Sequence, residues 1–106
     1  MTRPAAPHDL DAERAVLGAI LMRNPAYAEI RDRLTTQDFY RHAHGFIFDA
    51  MGALHKAGDV IDFITVKTAL QRGGKLKEVG VAYLSSLTDG VPASTNVQGY
   101  ADVVVD

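Results

Sequence analysis

Residues 9–21, with the sequence DLDAERAVLGAIL, decide the fold class. The segment begins with acidic residues and ends almost wholly apolar, as an amphipathic helix does. On a helical projection the large aliphatic side chains share one face: Val16, Leu17, Ile20 and Leu21. The small residues Ala12, Ala15 and Ala19 form another face beside Gly18. The large face predicts core packing. The small face predicts close approach of a second helix, either from the same domain or from a neighbouring subunit.

The same periodicity continues along the chain and predicts an all-α fold, a small bundle of about six helices. Turn signals place the helices at about 9–23, 25–34, 41–58, 62–73, 79–87 and 95–106. Residues 59–66, DVIDFITV, are rich in strand-forming residues. A helix is favoured there because the Asp positions suit a turn and a cap, and because no partner strand is evident. The predicted organisation is a flexible arm over 1–8 and one helical domain over 9–106.

Three helix starts carry capping signals. Asp9 is predicted to cap the first helix, Asp62 the fourth, and Thr95 with Gln98 the sixth as a capping box. Three side chains of the sixth helix are predicted to face inward: Tyr100, Ala101 and Val104.

Composition excludes several classes of function. The chain has 106 residues, a formal net charge of -2 and no cysteine, and its sequence pI is about 6.0. A net negative charge disfavours an autonomous nucleic-acid binder, which needs surplus cations. Disulfides and thiolate metal sites are excluded, and no apolar run is long enough to span a membrane. These features are compatible with a cytoplasmic protein.

Motifs for catalysis are missing from the sequence. It contains no GxxxxGK[ST] phosphate loop, no GxSxG elbow and no HExxH pair. RGGK, at 72–75, is too short for a phosphate loop and is interpreted as the end of a helix. We therefore expect no catalytic residue, no cofactor and no metal ion in this chain.

The ionisable clusters favour structural interpretations. His42, His44 and His55 cannot bind one ion from a single helix, because 42 and 44 point apart and 44 and 55 stand about 16 Å apart along the axis. We expect partly exposed surface imidazoles. The basic residues of 67–77 are interpreted as a solvated face: Lys67, Arg72, Lys75 and Lys77.

Two aromatic residues suggest a protein-interaction surface. Phe48 lies away from the main apolar stripe of the third helix, so its cover comes either from its own domain or from a partner. Tyr83 does not share the inward side of Leu84. Its ring and hydroxyl suit an interface rim, or the hydroxyl simply reaches water.

Four stretches together resemble one family: PHDLDAERAVLGAIL, DFYRHAHGFIFDAM, ALHKAGDVIDFITV and VGVAYLSSLTDGVPASTNVQGYADVV. Their order and spacing are similar to the N-terminal domain of DnaB-type bacterial replicative DNA helicases from about Pro7 to the end of the chain. The resemblance implies a collar domain of a hexameric ring that unwinds DNA with ATP. The sequence departs from the family pattern at Val81, Gly99 and Asp102.

The resemblance also implies partners. The collar would help to assemble the hexamer and would receive the C-terminal domain of the primase, with Asp11 and Tyr83 on the docking surface. The helix faces described above, and not the resemblance, add Phe48 and Gly18 as candidate partner contacts. ATP and Mg²⁺ would bind a RecA-like C-terminal domain outside this chain, and DNA would be contacted only by the full ring. The uncapped VVVD end suggests that the last helix is cut. We then expect the fragment to be a monomer or a weak dimer.

Other functions remain as alternatives. A helicase-binding domain of a primase has a similar helical bundle, and a stand-alone protein-interaction module would show similar exposed aromatic residues. A small DNA-binding helical protein is disfavoured by the net charge of -2. An autonomous ATPase is disfavoured by the lack of a phosphate loop.

Overall fold

The computed structural model describes residues 7–89, 91 and 95–105, which contain seven α-helices, one 3₁₀ turn and no strand. The elements are α1 Pro7–Met22, α2 Ala26–Ile30, the 3₁₀ turn Thr36–Asp38, α3 His42–Lys56, α4 Phe63–Arg72, α5 Leu76–Val79, α6 Val81–Ser86 and α7 Val97–Val105. The all-α prediction is confirmed, and the DVIDFITV stretch contributes a short irregular segment and the first residues of α4. Residues 1–6 of the predicted arm, and Asp106, lie outside the described residues.

The core forms where α1 and α3 meet the other helices. α1 packs most extensively against α7, and α3 packs against α4. The largest fully buried apolar side chains come from four of the helices and from the loop before α4: Leu17, Ile20, Ile30, Ile47, Met51, Ile61 and Leu84. The large face of the opening segment therefore fills the core, as predicted. No helix in the described ranges combines the length and apolar character needed to cross a membrane.

The predicted start of α4 is confirmed in detail. Asp62 Oδ1 accepts a hydrogen bond from the Thr65 amide at 2.9 Å, and Thr65 Oγ1 accepts one from the Asp62 amide at 2.9 Å. This reciprocal pair satisfies two amides that the first turn of a helix cannot bond internally. Val66 is fully buried one residue later, which fixes the direction of α4 against the core.

Two other predicted caps are wrong. α1 already begins at Pro7, so Asp9 lies inside the helix. At α7, Asn96 and not Thr95 is the capping residue, because Asn96 Oδ1 accepts a hydrogen bond from the Gly99 amide at 3.1 Å. Ala101 and Val104 are buried as predicted, whereas Tyr100 is 43% exposed and faces outward.

The helix boundaries also differ at two places. α2 ends at Ile30 and not at 34, since a turn follows and brings the buried Leu34 back to the core. The predicted helix over 79–87 is replaced by α5 and α6, which Gly80 separates with a φ of 87°. A positive φ interrupts a right-handed helix and favours glycine. The break lets α6 take a new direction and present Tyr83 to α3.

Candidate protein-interaction site

A buried acidic side chain and a buried imidazole meet between α1 and α3. Glu13 and His44 are both fully buried, and His44 Nδ1 lies 2.7 Å from Glu13 Oε1. Burial of a charged group is costly unless hydrogen bonds compensate for the lost water. We therefore expect the other polar atoms of Glu13 and His44 to form hydrogen bonds as well.

Main-chain amides complete the environment of the carboxylate. Glu13 Oε2 accepts a hydrogen bond from the Tyr40 amide at 2.8 Å, and Glu13 Oε1 accepts a longer one from the Arg41 amide at 3.5 Å. Burial alone would raise the pKa of Glu13. The hydrogen bond to His44, the charge of that ring and the two amides outweigh burial, so the pKa of Glu13 lies below its usual value. The carboxylate is thus ionised in the folded chain at neutral pH.

The network reaches the surface through Tyr83. His44 Nε2 lies 2.5 Å from the Tyr83 hydroxyl oxygen, and the two rings are stacked with centroids 5.8 Å apart. Because an ionised carboxylate can only accept hydrogen bonds, Nδ1 of His44 donates to Glu13, and Nε2 is left to pair with the Tyr83 hydroxyl. The Arg41 guanidinium carbon lies 4.5 Å from the centroid of the half-buried Tyr83 ring. One chain of contacts therefore joins α1, α3 and α6 and ends at an exposed cation.

This arrangement fixes side chains in the interior of the domain. A carboxylate, an imidazole and a hydroxyl also occur in this order in hydrolases, where the imidazole must face a substrate. Glu13 and His44 have no exposed surface, so a substrate cannot reach the ring. The chemistry available at this site is recognition through Tyr83 and Arg41.

An open groove of about 630 Å³ lies beside the same segment of chain. It runs between the 3₁₀ turn and the first turns of α3, and Phe39, Tyr40, His42 and Phe46 contribute to its lining. Tyr40 is 59% exposed. Segment 40–42 thus separates an aromatic groove from the Arg41–Tyr83 contact.

The comparisons with known proteins identify the family. The model of the "DnaB-like helicase N terminal domain" matches residues 5–106. The chain belongs to the DnaB helicase N-terminal domain family. It is 41% identical over 99 residues to the replicative DNA helicase DnaB of Geobacillus stearothermophilus, covering 92% of this chain and 22% of the relative. It is 41% identical over 101 residues to the replicative DNA helicase DnaB of Mycobacterium leprae, covering 94% of this chain and 17% of the relative.

A solved structure agrees with this DnaB-family assignment. The crystal structure of the N-terminal domain of DnaB helicase from Mycobacterium tuberculosis superposes with a TM-score of 0.86 at 39% identity, covering 91% of this chain and 69% of that one. The chain therefore spans about a fifth of the length of the curated relatives it matches.

The structure places the two expected docking residues of this DnaB-family domain in different surroundings. Asp11 is exposed on α1 and forms an ion pair with Arg14 of the same helix. Tyr83 is half-buried, and its hydroxyl contacts the imidazole of His44. Tyr83 is thus held by the buried network, whereas Asp11 belongs to a local surface pair.

The other two candidate residues are covered by their own domain. Phe48 is only 5% exposed and packs between the rings of Tyr27 and Phe39, with centroids 5.6 Å and 5.1 Å away. Gly18 is buried against the Leu87 carbonyl group and the Val91 side chain. Of the alternatives left open by the sequence, cover from within the domain is the one observed for both residues.

The expectation for the histidines needs a correction. His44 is fully buried and is not a surface imidazole, whereas His42 is exposed and His55 is half-buried beside the Tyr27 ring. A signal was present in the sequence. Glu13 precedes Leu17 by four residues, and His44 precedes Phe48 by four, so each polar residue lies on an apolar helix face. Two such residues in one small domain are candidates for a buried pair.

The depressed pKa of Glu13 predicts a pH dependence of stability. The folded pKa lies below the ordinary value of 4.5, so the stabilisation is fully present above 4.5 and is lost as the pH falls through the folded value. We expect the free energy of unfolding, measured by urea denaturation from about pH 7 to about pH 3, to decrease in that acidic window. Glu13→Gln should show a flatter profile there, and equal slopes for the two proteins would contradict this role of Glu13.

Proposed function

We propose that this chain is the N-terminal collar domain of a replicative DNA helicase, acting in ring assembly and primase docking during DNA replication. The observation that carries the proposal is the family match over 5–106. The relatives extend well beyond the matched part, which leaves room for a separate motor domain. In the whole cytoplasmic protein, that motor would bind ATP and Mg²⁺ and unwind DNA.

Self-assembly is supported by apolar side chains on α7. Tyr100 is 43% exposed and Val105 is 48% exposed. Large apolar groups at a surface are typical of contacts with other protein segments. In the proposed hexamer they face further collar segments, and DNA is contacted by the ring as a whole, since the domain has a net charge of -2.

Docking of the primase is proposed for the surface around Tyr83 and Asp11. A half-buried tyrosine with a fixed ring suits a protein interface, because ordering it on binding costs little entropy. The relatives described above are all named as helicases, which favours this function over a helicase-binding domain of a primase.

The direct test uses the complete protein and a variant that lacks residues 1–106. We expect the variant to lose binding of the C-terminal domain of its primase and to form less stable rings, while the motor keeps ATPase activity. Surface plasmon resonance and analytical ultracentrifugation measure the two effects. Unchanged primase binding by the variant would rule out the proposed docking role.

The isolated chain should assemble only weakly. We expect a monomer or a loose dimer, because most of the length of the matched relatives lies outside this segment. Sedimentation velocity over a range of concentrations checks this expectation. A stable hexamer of the chain alone would contradict it.

A further inference from the structure

We propose that Arg41 and Tyr83 form one preorganised contact point that accepts a carboxylate of the docking partner, and that Glu13 and His44 are the positioning residues that hold it. This inference rests on the proposed function, since it names the chemistry of the partner group at the docking surface. The two expected docking residues, Asp11 and Tyr83, do not by themselves indicate which chemical group of the partner is bound.

A single buried carboxylate positions both members of the contact point. Glu13 holds Tyr83 through His44, with successive distances of 2.7 Å and 2.5 Å. It also accepts hydrogen bonds from the amides of Tyr40 and Arg41, which fixes the main chain that carries the guanidinium. The surface pair is therefore set by the interior of the domain before any partner arrives, and preorganisation of this kind lowers the entropic cost of binding.

Arg41 is available for an anion. Three other arginines form ion pairs with carboxylates: Arg14 with Asp11, Arg23 with Glu29, and Arg33 with Asp102. Among the side chains that the structure describes (residues 10–89, 91 and 95–105), no carboxylate forms an ion pair with Arg41, whose guanidinium instead lies over the Tyr83 ring. Stacking leaves the N–H edge of a guanidinium free to bind a carboxylate through two parallel hydrogen bonds.

The partner group is assigned to a protein and not to nucleic acid. Binding of a phosphate backbone requires several cations on one face, whereas the domain has a net charge of -2. A stacked arginine and tyrosine are the residue types most enriched at the energetic centres of protein interfaces. The contact point thus fits an aspartate or glutamate on the primase domain.

The first test measures binding of the purified primase C-terminal domain to the complete helicase by calorimetry at low and high salt. We expect Arg41→Glu to weaken binding about tenfold or more, Arg41→Lys to weaken it less, and the salt dependence to decrease in Arg41→Gln. Arg72→Glu is the matched control, because Arg72 is an exposed arginine at the end of α4. Its affinity should stay within about twofold of wild type.

The second test separates positioning from a general structural role. Tyr83→Phe keeps the ring beneath Arg41 but removes the hydroxyl that contacts His44. We expect Tyr83→Phe and Arg41→Ala to be non-additive in a double-mutant cycle of binding, because both act on one contact. Glutamine at position 44 can still form a hydrogen bond with the Tyr83 hydroxyl, whereas leucine cannot. At matched thermal stability, we therefore expect His44→Gln to retain more affinity for the primase domain than His44→Leu.

The outcomes distinguish failure of the proposed primase docking from failure of the role inferred for Arg41 and Tyr83. Failure of the wild-type protein to bind the primase domain would overturn the proposed function, and this inference with it. Wild-type binding that is unaffected by Arg41→Glu would overturn the inference alone. Loss of single-stranded DNA binding in Arg41→Glu, with intact primase binding, would assign the contact point to nucleic acid and would also overturn it.

Discussion

Replacement of Gly18 by leucine is expected to unfold the isolated chain or to lower its free energy of unfolding by about 3 kcal/mol or more. A Cβ atom at this position would overlap the main-chain carbonyl oxygen of Leu87 and lie 3.0 Å from Val91 Cγ2. A main-chain atom cannot move aside as a flexible side chain can, so α1 and the segment after α6 would have to separate. Total stabilities of about 5–15 kcal/mol are usual for domains, which makes this loss large.

Urea denaturation monitored by circular dichroism measures the effect. Gly18→Ala should also destabilise the chain, since its single methyl group meets the same carbonyl. Gly45→Ala in α3 is the matched control, because a Cβ atom there meets only Thr36 at 3.4 Å and the helix gains intrinsic propensity. A folded Gly18→Leu chain that fails only in ring assembly would show that the glycine serves a contact between subunits.

Replacement of Glu13 by alanine should have the second large effect. It leaves the buried His44 Nδ1 and the Tyr40 amide without their acceptor. An orphaned buried polar group costs about 1–3 kcal/mol, so we expect a loss of about 3 kcal/mol in the free energy of unfolding. The measurement is again equilibrium denaturation at neutral pH.

Glu29→Ala provides the control for removal of a carboxylate. Glu29 forms a two-point ion pair with Arg23 at the surface, with both distances 2.9 Å. Exposed ion pairs contribute little, because water and salt screen them. Equal losses in Glu13→Ala and Glu29→Ala would mean that the buried network does not stabilise the domain.

The sequence correctly predicted the helices whose positions are set by residues close to one another in the chain. The spacing of aliphatic residues located α1 and α3, and Asp62 placed the start of α4. The predictions failed where tertiary contacts decide the conformation. The sequence around Gly80 permits a continuous helix, but a positive φ there separates α5 from α6.

The candidate site was only partly predictable for the same reason. The sequence marks Tyr83 because it does not share the side of Leu84, yet its hydrogen-bond partner His44 is 39 residues away in sequence. Glu13 and His44 are separated by 31 residues. No local pattern specifies such a pairing, although each residue lies on an apolar face. The interior position of Phe48 depends likewise on two rings from other parts of the chain.

Stimulation of primase activity by the complete helicase tests whether the primase docks on the surface around Tyr83 and Asp11. The protein would be compared with its Asp11→Arg and Tyr83→Ala variants, and thermal melts would establish that all three are folded. We expect Tyr83→Ala to lose most of the stimulation and Asp11→Arg to weaken it, while both variants retain ATPase activity. Full stimulation by both variants would contradict the assignment of this surface to primase docking.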